Sequence, residues 1–149
     1  MLHAALAFVL ALVVQAPGPD QATSTEAPVT EEVAVTQVAV QLDSSGDDPV
    51  GSVLTDKLRA ALESSPRFRL TTNNSERRLI IVVQHVDRNC RQRNVSTVYS
   101  VIWNHNPGEI YYNRYLTATV GFTPIDGVDR VVTDLMLETE SLVERLGLE

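Results

Sequence analysis

A single cysteine, Cys90, stands in the 149 residues, so no disulfide can form within the chain and the fold must be held by its core. That cysteine is far from the amino terminus, which rules it out as the lipid-bearing residue of a lipoprotein signal. Lysine is almost missing too. The 12 basic residues are Lys57 and otherwise arginines, a bias with no physical demand behind it at so many unrelated positions. Positive charge is scarce overall: the formal net charge of −7 argues against a nucleic-acid binder and favours colloidal solubility. No internal repeat is visible, and the residues at 4–14 (AALAFVLALVV) fall well short of the roughly 20 apolar residues a membrane-crossing helix needs.

That apolar run does fit the core of a secretory signal peptide, with Val14 and Ala16 where the small residues before a cleavage site belong. We therefore expect residues 1–16 to be a signal peptide, with a cut after Ala16 or after Ala22, and the processed chain to be periplasmic or secreted without stable membrane insertion. Residues 17–32 (PGPDQATSTEAPVTEE) hold almost no bulky apolar side chains and cannot bury enough surface to offset their ordering entropy. They read as a flexible lead to one domain over 33–149.

Within that domain, residues 33–42 alternate Val38, Val40 and Leu42 against Ala39 and Gln41, the period of a strand. Asp47 or Asp48 can cap the next helix, and Pro49 suits its first turn. Val50, Val53, Leu54, Leu58, Ala61 and Leu62 then share one helical face, which ends at Pro66. Strands are expected at 68–72, 79–86, 95–103 and 111–122, the last with Leu116, Ala118, Val120 and Phe122 on one face. A turn over 104–108, with Pro107 and Gly108 at its centre, makes the last two a hairpin. The spacing of Val128, Val131, Val132, Leu135, Thr139, Leu142, Val143 and Leu146 predicts a closing helix, and Gly147 stands where a terminating glycine belongs. The fold class is α+β, ordered β-α-β-β-β-β-α, with a mostly antiparallel sheet and both helices on one face.

The segment Leu54-Thr55-Asp56-Lys57-Leu58-Arg59-Ala60-Ala61-Leu62, preceded by a strand and polar turn and followed by Phe68-Arg69-Leu70, resembles the opening of the periplasmic domains at the amino end of TolB and in the curli-secretion and penicillin-binding-protein-activator lipoproteins. The resemblance covers about 35 residues. It implies envelope assembly through protein contacts and not catalysis. The chain differs from those families in having Leu79-Ile80-Ile81-Val82-Val83 where they usually place a glycine.

No catalytic, cofactor or metal motif stands out, and no cofactor is expected. Cys90 with His85 or His105 is the one conceivable nucleophile pair, and the same residues with Asp87 the one conceivable metal set; neither has motif spacing. Arg88, Arg91 and Arg93 form a basic loop in an acidic chain, the candidate contact for an anionic partner through bidentate guanidinium bonds. The expected function is that of an exported, non-enzymatic accessory or binding protein of the bacterial cell envelope, with an envelope protein or anionic envelope polymer as partner. The alternative is a small secreted hydrolase using Cys90 with His85 or His105.

Overall fold

In a computed structural model of the chain, residues 36–87, 95–108 and 112–148 are described. The expected signal, the lead, Cys90 and the basic loop of Arg88, Arg91 and Arg93 lie outside them. The compact unit falls in Val33–Glu149. It runs β1 (Val38–Ser45), α1 (Pro49–Ser64), β2 (Phe68–Leu70), β3 (Arg77–Asp87), β4 (Ser96–Pro107), β5 (Arg114–Pro124), a 3-10 turn (Ile125–Gly127) and α2 (Val128–Leu146).

The element order is the expected α+β one, and the sheet order is β2-β1-β3-β4-β5. The sheet is mixed rather than mostly antiparallel: β1 pairs in parallel with β2 on one side and β3 on the other, while β3–β4 and β4–β5 are antiparallel. The crossover through α1 is what makes β1 and β2 parallel, since a helix returns the chain to the starting edge of the sheet. Because β2 is only three residues long, β3 can then start level with Val40 on the opposite side of β1.

Both helices cover the same face. Val40, Leu79, Ile81, Val83, Val101 and Trp103 from the sheet meet Leu54, Leu58 and Leu62 of α1 and Val132, Leu135 and Leu142 of α2 in one core. Trp103 is fully buried, and its Nε1–H donates to Thr139 Oγ1 at 3.0 Å. That bond explains a threonine on the apolar stripe of α2. Gly147 ends α2 at φ 56°; its N–H donates to the Glu144 carbonyl and that of Leu148 to Val143, the paired closure of a Schellman motif.

Two local readings are corrected. Residues 104–107 belong to β4 and not to a turn, because β3 is long enough to pair Arg77 with Pro107 and Arg78 with Asn106. Gly108 (φ 103°) follows the strand, its N–H donating to Asn106 Oδ1, while Asn106 Nδ2 donates to Asn113 Oδ1 ahead of β5. Between Trp103 and Asn104 the β4–β5 register slips by one residue, which places Leu116 in a bulge. Leu116 consequently packs against the helix-side core, and does not join Ala118, Val120 and Phe122 on the other face.

Candidate functional site

At the carboxyl ends of β1 and β3, one carboxylate joins three elements. Asp48 caps α1, its Oδ1 accepting from the Gly51 N–H at 2.8 Å, with Pro49 in the first turn. Its Oδ2 accepts from Thr97 Oγ1 at the start of β4 (2.9 Å) and meets His85 Nδ1 at the end of β3 (2.7 Å). Asp48, His85 and Thr97 are all buried. An ionised carboxylate only accepts, so His85 donates through Nδ1 and Nε2 is left as its remaining polar atom. Two glycines make room for the ring: a Cβ at Gly51 would lie 2.1 Å from His85 Cγ, and one at Gly46 would lie 2.2 Å from the His85 carbonyl oxygen. Gly46 also has φ 139°, a conformation other residues rarely adopt.

Burial is the largest single influence on Asp48 and pushes its carboxyl upward, but the Gly51 N–H, Thr97 and His85 together outweigh it and leave the group below the ordinary value of 3.8. A carboxyl depressed in the folded state contributes stability above its unfolded pKa, and that contribution disappears as pH falls through the folded value. Glu76, held down by hydrogen bonds from Arg69 and Thr71, acts in the same direction. The urea midpoint should therefore fall as pH drops from about 6 to about 3. Asp48→Asn should flatten that dependence, and a variant with the parental slope would remove Asp48 from the account.

The arrangement pairs an acid with a histidine, as hydrolytic triads do, but the hydroxyl here is spent on the carboxylate instead of facing the ring. It is a joint between a helix cap and two strands. His105 lies at the other end of the sheet: it pairs with Leu79, whereas His85 pairs with Tyr99, six ladder positions or about 20 Å away. The two histidines cannot serve one site. Half-buried His105 is held below its ordinary value by burial and by the neighbouring Arg77 and Arg114 charges, and Arg77 Nε donates to its Nε2 at 3.4 Å. Among the described residues no three of the His, Cys, Asp and Glu side chains group as a metal set.

The second feature is the sheet face turned away from the helices. On its β1 side it is polar, with Arg78 Nε donating to Gln41 Oε1 at 2.8 Å. Toward β4 and β5 it becomes apolar, with Val98, Ile102 and Ala118 beside Val86, Val120 and Phe122, which are 57%, 73% and 50% exposed. Val120 and Phe122 share one face, as their alternation predicts, and neither α1 nor α2 covers it. On the helix side α2 packs into the common core with α1 and the sheet but leaves space over part of β5. A hollow of about 380 Å³ remains between β5 and α2, lined by Tyr99, Thr117, Thr119, Val131, Asp134 and Glu138 among others. Thr117 and Glu138 also border a second hollow of about 300 Å³ farther along α2.

Among the described residues no helix is long and apolar enough to cross a membrane. No protein-family model matches the chain, and no curated protein matches its sequence. The solved structure of the hypothetical protein CT253 from Chlamydia trachomatis is similar over 60% of this chain and 73% of its own, at 7% identity and a TM-score of 0.36, a likeness too slight to carry any function across.

Proposed function

We propose that this chain is an exported, non-enzymatic binding or accessory domain of a bacterial cell envelope that acts through protein contacts. The observation that carries the reading is the sheet face opposite α1 and α2, where Val86, Val120 and Phe122 are exposed among the described residues. Contiguous apolar surface of this kind marks contact sites in soluble proteins. The net charge of −7 favours a protein partner over a polyanion, leaving the loop of Arg88, Arg91 and Arg93 as the local exception. The hydrolase reading, on Cys90 with His85 or His105, draws on the His85–Asp48 bond alone.

The test is crosslinking in envelope extract by the parent and by a Val86→Glu/Val120→Glu variant. Both substitutions sit on exposed positions, so stability should change by less than about 0.5 kcal/mol, while capture of the parent's partner is lost. Equal capture by both proteins would refute the face, and no capture by the parent would refute the reading. The native amino terminus, read from the same extract by mass spectrometry, should begin after Ala16 or Ala22.

A further inference from the structure

The two edges of the sheet are built differently. At one edge β2 is three residues long, and its Arg69 is ion-paired with Glu76. Short, charged edges of that kind resist pairing with other chains. At the other edge β5 runs for 11 residues, and from Tyr115 to Thr123 (YLTATVGFT) it holds neither a charge nor a proline. Among the described residues it pairs only with β4, so every second residue turns its backbone N–H and C=O outward.

We propose that β5 and the hollow beside it form a docking groove for an extended segment of a partner protein, which adds as a sixth strand and carries basic and apolar side chains in alternation. The inference rests on the protein-contact reading and names the partner's chemistry. Side chains of an added strand alternate between two faces. Those on the helix side enter the space between β5 and α2, where Asp134 and Glu138 stand one turn apart. Among the described residues Asp134 forms no ion pair, and Glu138 pairs only with Arg145 at 3.2 Å. This side selects cations. Those on the other side extend the apolar surface of Ala118 and Val120. A second copy fits the edge less well, because two chains each carrying a net charge of −7 repel and the middle of β5 turns only threonines and a glycine, Thr117, Thr119 and Gly121, to the helix side.

The probe is an end-blocked peptide of about nine residues, matched to the free edge, that alternates lysine with valine. It should bind the parent at low salt by calorimetry and weaken as salt rises. Replacing its lysines by glutamate, or its central residue by proline, should abolish binding. On the protein, Asp134→Asn/Glu138→Gln should weaken binding by about fivefold, as expected for two partly exposed charge pairs. Thr119→Lys, which blocks the groove and neutralises Asp134, should remove it while leaving the melting temperature near the parent's. Equal binding of the lysine and glutamate peptides, or of the proline peptide, would overturn the proposal without recourse to any variant. So would a parent that binds no peptide, or one that ignores it and dimerises with concentration in sedimentation. Envelope capture that survives Thr119→Lys but is lost in Val86→Glu/Val120→Glu would overturn the groove and leave the contact reading standing.

Discussion

Asp48→Ala is expected to lower unfolding free energy by about 2–4 kcal/mol, read from urea midpoints at neutral pH. Loss of the helix cap alone costs about 1 kcal/mol. The larger share comes from the His85 Nδ1–H, a buried donor that loses its acceptor at about 1–3 kcal/mol, whereas the Thr97 hydroxyl can turn to the Val98 carbonyl at 3.2 Å or that of Val86 at 3.4 Å. Gly51 and Gly46 press against the imidazole so closely that the ring has little freedom to turn toward another acceptor. Asp48→Asn keeps one acceptor oxygen and should lose less. A cost below about 1 kcal/mol for the alanine variant would mean that water takes the carboxylate's place at His85 and that the cluster is no joint at all.

This cluster was half legible in the sequence, and the half that was missed is instructive. Asp48 and Pro49 together announce a helix start, because capping and proline placement are local properties of neighbouring residues. His85 is 37 residues from Asp48 and Thr97 is 49, and no spacing rule links them. The signal that was available is Gly46 and Gly51 flanking the cap, of which only Gly46 looked like ordinary turn chemistry. Gly51, inside the first turn of α1, is costly for a helix and points to a close approach.

The sheet divides along the same line. Alternation placed Val38, Val40 and Leu42 correctly, and helical spacing placed Leu58 and Leu135 in the core. Pairing direction depended on where a three-residue strand, β2, would dock, and three residues hold too little pattern to say. The bulge at Leu116 is invisible to a period-two reading, since the slip lies in the partner register and not in the apolar pattern of β5. Whether a face is covered is likewise a tertiary fact: Val120 and Phe122 alternate as well as any core strand, yet both helices lie on the other side. The residues singled out for anion contact, Arg88, Arg91 and Arg93, remain a proposal of the sequence alone.

Trp103→Ala should cost about 3–5 kcal/mol, the range for removing a large aromatic from a packed interior. Trp103 is fully buried opposite Ile81 of β3, among the core side chains of both helices, and it borders the hollow between β5 and α2. Truncation would thus join a new cavity to space already present. The indole hydrogen bond is the smaller part. Thr139 Oγ1 keeps its own bond to the Leu135 carbonyl at 2.7 Å, so losing the incoming Nε1–H leaves no donor stranded. Trp103→Phe, which retains most of the volume, should accordingly cost about 1–2 kcal/mol less than the alanine variant. Thr139→Val reverses the situation by stranding the buried Nε1–H, at about 1–3 kcal/mol. The double variant Trp103→Phe/Thr139→Val should then be more stable than the sum of its parts implies. Strict additivity in that cycle would show that the bond contributes nothing and that packing alone fixes α2.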